Sequence, residues 1–234
     1  MSAVGEAFSS ALGLITTLDR SLVSIVLLSI EVSLSAVLLA SLLALPLGAA
    51  IAVGRFPGRR ALVVLLNALM GLPPVVVGLV VYLMLSRAGP LGSLGILFTP
   101  GAMVIAQTVL IFPIIAALCR QAVEDAWREY EEQLRSLGAG RASAALTLLW
   151  DTRFSLLTAV LAGFGRAAAE VGAVMIVGGN IDGVTRVMTT SIALETSKGD
   201  LPLALGLGMI LISLVLALNA AAYLAKEAAE RRYG

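Results

Sequence analysis

The run at residues 21–53 carries one charge, Glu31, and one proline, Pro46. Similar apolar runs recur at 61–85, 101–118, 154–177 and 201–225. With 59% hydrophobic and 13% charged residues in 234, the chain has more apolar surface than a soluble domain of that length can enclose, the mark of a polytopic membrane protein. A helix needs roughly 20 residues to cross a hydrocarbon core of about 30 Å, so the runs predict about five spans. They lack the two-residue alternation of a membrane barrel, and the expected fold class is all-α, multi-pass in the cell membrane. The first run exceeds one span, which predicts an interfacial lead-in before it. Inside the second run, Gly71-Leu72-Pro73-Pro74 removes two backbone donors and disfavours helix just before the prolines, predicting a kink or a short unwound turn that faces protein or water.

Short loops rich in Lys and Arg stay on the cytoplasmic side. Arg55, Arg59 and Arg60 follow the first span, five arginines (120, 128, 135, 141 and 153) follow the third, and Lys226, Arg231 and Arg232 follow the fifth. The opposite side receives Arg20, Arg87, Arg186 and Lys198. This split of eleven against four among the 16 basic residues places the N-terminus outside and the C-terminus in the cytoplasm. The predicted organisation is an extracytoplasmic or interfacial segment at 1–20, one transmembrane domain at 21–226 and a cytoplasmic tail at 227–234. Residues 1–20 read equally as a weakly amphipathic interfacial segment or a frayed terminus. The opening MSAVGEAFSS has neither a basic leader nor a short apolar core with a cleavage site, so no cleaved signal is expected.

The interval 120–153 is the one long polar stretch, and it adds Glu124, Asp125, Glu129, Glu131, Glu132 and Asp151 to its five arginines. Within it, 122–134 places Val123, Ala126, Tyr130 and Leu134 at near-helical spacing with carboxylates on the other faces, predicting an amphipathic cytosolic helix. Gly138-Ala139-Gly140 allows a tight turn, and 142–150 resumes as a second short helix. Such a helix-turn-helix serves either as a solvated connector or as an element that docks into a groove on another subunit.

Glu132-Gln133-Leu134-Arg135-Ser136-Leu137-Gly138, with nine residues between Gly138 and Leu148, resembles the EAA loop of the permease subunits of type I ABC importers. In that family the pattern is EAA, three residues, Gly, nine residues, Ile, one residue, Leu-Pro. Here Gln133 and Leu134 replace the two alanines, and Trp150-Asp151 replaces Leu-Pro. The segment Phe164-Gly165-Arg166-Ala167-Ala168-Ala169-Glu170-Val171-Gly172-Ala173, followed by Gly178-Gly179-Asn180-Ile181, is similar to the molybdate and tungstate permeases. Thr185 to Thr190 and Glu195 to Asp200 lean towards the tungstate branch. The resemblance implies a type I permease fold whose coupling loop, through Glu132, Leu137, Gly138 and Ala139, sits in a cleft of a cytoplasmic ATPase. It also implies two such ATPases, a second copy of this chain, and an extracytoplasmic oxyanion-binding protein. ATP and Mg²⁺ would be bound by the ATPase, with no cofactor or metal in this chain. Molybdate or another oxyanion is the alternative cargo.

Arg166 and Glu170 fall inside the fourth predicted span, where a lone charge costs on the order of 3 kcal/mol on insertion scales. Their i,i+4 spacing on one continuous helix would let them neutralise each other. Two roles are open: a buried pair that locks helix packing, or a face that lines the path and helps an anion past the hydrocarbon. Gly163, Gly165 and Gly172 allow close helix approach. Gly178, Gly179 and Asn180 suit either a loop or a small nest of amides facing an oxyanion.

No G-x-x-x-x-G-K-[ST] phosphate loop occurs, so ATP hydrolysis is expected in a separate subunit and the chain is not expected to be an enzyme. Histidine is absent, which excludes a Ser-His dyad and a H-E-x-x-H zinc site. Cys119 is the single cysteine, so neither an intrachain disulfide nor a multi-thiolate site can form. The net charge of +1 gives no bias towards nucleic acid. An ion-coupled secondary transporter using Arg166 and Glu170 as a charged relay is the rival from another class.

Overall fold

The computed structural model describes Gly13 and residues 20–233; apart from Gly13 and Arg20, the predicted 1–20 segment lies outside the described residues. Among these the regular structure is helical: α1 Arg20–Val53, α2 Arg59–Leu69, α3 Pro74–Leu85, a 3-10 turn at Gly92–Leu94, α4 Pro100–Ser136, α5 Arg141–Asp151, α6 Arg153–Ala168, α7 Gly172–Gly178, α8 Met188–Lys198 and α9 Leu201–Tyr233. Three stretches, Leu22–Val53, Pro100–Ser136 and Leu201–Ala221, are long and apolar enough to cross a membrane. The bent pairs α2/α3, at 103°, and α5/α6, at 75°, bring the number to five if each counts as one span.

The structure sharpens the predicted spans at four places. The break at 70–73 is a near right angle rather than a kink. Met70, Gly71 and Leu72 donate to Asn67, Ala68 and Leu69 at 3.1–3.3 Å, tightening the last turn of α2, and Pro73 and Pro74 have no N–H with which to continue it. The third span does not stop near 118; α4 continues unbroken for 37 residues, about 55 Å at ~1.5 Å per residue. The predicted cytosolic helix at 122–134 is thus the same helix, because Cys119-Arg120-Gln121-Ala122 changes polarity without supplying a helix breaker. The fourth predicted span is interrupted after Ala168, and α7 restarts at Gly172. At the C-terminal end, α9 continues as helix through the predicted tail as far as Tyr233.

The chain divides into two compact units, residues 1–35, 74–107 and 168–234 in one and 36–73 and 108–167 in the other. In the first, Leu22 and Ile25 of α1 pack with Met188 of α8 and Leu207 of α9. The Ser29 hydroxyl donates to the Ile25 carbonyl at 2.6 Å and accepts the Met188 N–H at 2.7 Å, so a side chain of α1 satisfies an amide at the start of α8. α3 lies directly against α7: a Cβ added to Gly78 would stand 2.7 Å from the Ala173 Cα.

In the second unit, Ala36, Ala40, Ala44, Gly48 and Ala52 recur every fourth residue along α1, and the four alanines are buried. This small-residue stripe faces α4. The Cys119 thiol reaches the Leu45 carbonyl at 3.3 Å, and a Cβ on Gly48 would stand 2.8 Å from the Ala116 carbonyl oxygen and 2.9 Å from the Cys119 Cβ. Backbones approach this closely only where side chains are minimal. Gly163 plays the same part on α6, against Ile115, and Gly172 of the first unit does so against Val75, whereas a Cβ on Gly165 would meet nothing. Gly48→Val should therefore lower stability by about 1–3 kcal/mol through overpacking, read as an earlier thermal transition of the detergent-extracted protein. Gly140→Ala, where an added Cβ meets nothing within 4 Å, should leave the transition in place.

Candidate functional site

The central loop grows from the polar end of α4. Val123 and Trp127 face inward with Cys119, and Ala144, Leu148 and Leu156 close over them from α5 and α6. Tyr130 and Leu134 extend the apolar side to the end of the helix. There Gly138 adopts φ 74, with the Gly138 N–H donating to Arg135 and the Ala139 N–H to Leu134, both at 2.9 Å. This is a Schellman closure, in which the left-handed residue is glycine because a Cβ there is disfavoured. A Cβ on Gly138 would meet nothing within 4 Å, so conformation and not crowding within the chain explains the glycine. α5 then starts at Arg141.

The tip is apolar and exposed: Leu137 is 82%, Leu146 69% and Trp150 72% exposed. Arg153 lies over the rings of Trp150 and Phe154, at 5.0 and 4.6 Å from their centroids. Glu132 is exposed and its carbonyl accepts the Ser136 hydroxyl at 2.8 Å, while Ala139 is half-buried. Glu132, Leu137, Gly138 and Ala139 are thereby gathered at one protruding turn. Tyr130, Gln133, Leu134, Leu137, Thr147, Leu148 and Asp151 line a hollow of about 250 Å³ between α4 and α5.

Behind the tip stands a network that the separate motifs did not predict. Glu124 binds Arg59 at 3.2 Å, Arg128 at 3.1 Å, and Arg120; Glu131 binds Arg55 at 2.7 Å, and Arg135. Arg59 also donates to the Ile51 carbonyl at 2.8 Å and the Ala52 carbonyl at 3.3 Å, closing the C-terminus of α1. Glu124 lies past the apolar part of α4. Partial burial pushes its carboxyl up, but Arg59 first, then Arg120 and Arg128, outweigh that and hold it below the usual carboxylate range. The signal was present in the sequence as arginines after the first apolar run and carboxylates after the third, complementary charges at the ends of two spans.

The predicted pair Arg166 and Glu170 does not lie on one continuous helix. Arg166 occupies the last turn of α6, which ends at Ala168, and Glu170 lies in the break before α7. There the buried Glu170 carboxylate accepts the Ala173 N–H at 3.1 Å, and its carbonyl accepts the Thr189 hydroxyl at 2.8 Å. Its carboxylate satisfies an amide in the first turn of α7, a role that the regular spacing from Arg166 concealed. Gly178, Gly179 and Asn180 follow α7. The Gly179 N–H donates to Met175 at 2.9 Å, and the Gly178 carbonyl accepts the Thr185 hydroxyl at 2.6 Å. Thr185 in turn accepts the Ile181 N–H at 2.9 Å. Gly179 and Asn180 both have positive φ, 73 and 50, as a chain reversal requires. The sequence reading also missed α8, which buries Thr190, Ser191 and Glu195; polar residues between two apolar runs read as loop.

The family described as binding-protein-dependent transport system inner membrane component matches residues 44–234. The chain is 40% identical over 227 residues, 97% of its length and 100% of the relative's, to the tungstate uptake system permease protein TupB of Peptoclostridium acidaminophilum. It is 41% identical to a probable anion ABC transporter permease protein of Haloferax volcanii, covering 85% of this chain and 88% of that one. A further tungstate uptake system permease protein TupB, from Campylobacter jejuni, is 34% identical over 92% of this chain and 90% of its own.

Glu124→Gln keeps the side chain's shape and leaves Arg59, Arg120 and Arg128 facing one another, so it should cost about 1–3 kcal/mol at neutral pH, read by thermal unfolding. A carboxyl whose folded pKa is depressed stabilises above its ordinary range and loses that contribution as pH falls through the lowered value. The gap between variant and parent should thus narrow below about pH 4; a gap that stays constant on acidification would show that charge is not its origin.

Proposed function

Because the chain belongs to the binding-protein-dependent transport system inner membrane components, we propose that it is the membrane-spanning permease subunit of an ATP-driven oxyanion importer with tungstate as its cargo. Identity of 40% across essentially the full length of both chains to a tungstate uptake permease carries this reading. The protruding α4–α5 turn gives it a mechanical basis. Leu137, Leu146 and Trp150 offer an apolar knob, and the Schellman closure at Gly138 fixes its shape before any partner arrives, so little conformational entropy is lost on docking.

The partners this reading requires are two cytoplasmic ATPase subunits that bind ATP and Mg²⁺, a second copy of this chain, and an extracytoplasmic oxyanion-binding protein. ATP-driven closure of the ATPases would draw the two knobs together and open the path outward; hydrolysis would return it. A divalent oxyanion enters hydrocarbon poorly, so alternating access must supply both a hydrated route and a seal.

Proteoliposomes holding the complete complex, with its binding protein outside and ATP inside, should accumulate radiolabelled tungstate, and molybdate should compete only at higher concentration. Uptake that follows an ion gradient without ATP would sink the reading. Gly138→Arg adds left-handed strain together with bulk at the knob and should abolish coupling, seen as loss of the ATPase subunit or of stimulation by loaded binding protein. Gly138→Asn tolerates the same φ and should keep most of it. In a Cys119-free background, single cysteines at Ser143 and Thr196 should label from opposite sides of the membrane, as the eleven-to-four basic asymmetry requires.

A further inference from the structure

At the junction of α1 and α2, a cleft of about 560 Å³ opens beside α4. Its charged lining is Arg55, Arg59, Arg60 and Arg128 against Glu124 and Glu131. Both carboxylates are already shared among several arginines, so the cleft keeps a net positive charge. The Arg60 side chain makes no ion pair or hydrogen bond among the described residues, and Arg60 lines the cleft together with Phe56 and Trp127.

The position of the cleft along the helices names its ligand. The apolar part of α1 ends at Val53, and α4 turns from apolar to charged around Arg120; ion pairs from Arg59 to Glu124 and from Arg55 to Glu131 set these two polarity boundaries side by side. In a bilayer that boundary is the headgroup level. α2, which leaves the cleft from Arg59, exposes Val64 by 67% and Leu65 by 53%, the surface of a helix with one side in the acyl region. A cationic hollow at headgroup depth beside an acyl-facing helix fits a ligand with an anionic head and an apolar body.

We propose that this cleft binds the headgroup of an anionic phospholipid, with Arg55, Arg60 and Arg128 on its phosphate and the exposed face of α2 against its acyl chains. Basic side chains at a membrane surface attract anionic lipid through both the phosphate and the surface potential, and a planar guanidinium can engage a phosphate through two parallel hydrogen bonds. Lipid binding there does not depend on which oxyanion is carried.

Native mass spectrometry of the full chain, delipidated in a neutral detergent and titrated with phosphatidylglycerol or phosphatidylcholine, tests this without a transport readout. Phosphatidylglycerol should be retained at least tenfold better. The double variant Arg55→Gln, Arg60→Gln should lose at least fivefold of that preference, while Arg60→Lys should retain most of it; both residues lie at the surface, and an unchanged gel-filtration profile confirms that the variants fold. Equal retention of the two lipids, or an unaltered preference in the double variant, would overturn the proposal. Displacement of phosphatidylglycerol by millimolar inorganic phosphate would reassign the cleft to free anions. Loss of the ATPase subunit from the variant complex with lipid retention unchanged would reassign it to a protein partner.

Discussion

A backbone N–H or C=O left bare in hydrocarbon costs several kcal/mol, and several departures from helix among the described residues find a partner. At the end of α6 the Glu170 carboxylate takes the Ala173 N–H, and Thr189 gives its hydroxyl to the Glu170 carbonyl. After α7, Thr185 bridges the Gly178 carbonyl and the Ile181 N–H, and the Phe98 N–H donates to Val177 at 3.0 Å. Ser29 supplies the same service to Met188. Ser29, Glu170 and Thr185 of the first unit thus each satisfy a backbone group at a helix end.

The second constraint is the absence of a hydrophobic force between helices in lipid. α1 answers it with an inverted pattern. Along its second half a buried stripe of Ala36, Ala40, Ala44, Gly48 and Ala52 runs every fourth residue, while large apolar side chains such as Leu38 and Leu42, each 71% exposed, point away from it. In water the sizes would be exchanged. Contact is gained by backbone proximity and dispersion, which makes the stripe intolerant of added volume although it contains no large residue.

Much of this was legible in the sequence. The apolar runs gave the spans, Pro73-Pro74 marked the sharp break, and Gly138-Ala139-Gly140 marked the turn, because in each case the cause is local: length, a missing donor, a left-handed φ. What was not legible depends on partners distant in sequence. The stop after Ala168 follows no proline and is held by a hydroxyl 19 residues away. α8 packs Met188 and Ile192 against α1 and α9 and buries Thr190, Ser191 and Glu195, so its local composition resembles a loop. The run of α4 past Leu118 was hidden for the opposite reason, since a change from lipid to water is a change of solvent and leaves helix propensity untouched.

That continuity bears on how a permease of this family can be driven. A loop joined to its span by a flexible segment would absorb a push at its tip. Here the turn at Gly138 closes directly on Leu134 and Arg135, which belong to the same 37-residue helix that begins at Pro100. The Glu124 and Glu131 networks clamp that helix to the end of α1 and the start of α2. A force applied at Leu137 therefore has no soft joint in which to dissipate before it reaches the Ala116–Gly48 contact. On the proposed function, the charges of the central interval would be the rigid mounting of a lever, and the apolar residues at its tip would be left to make the contact with the ATPase.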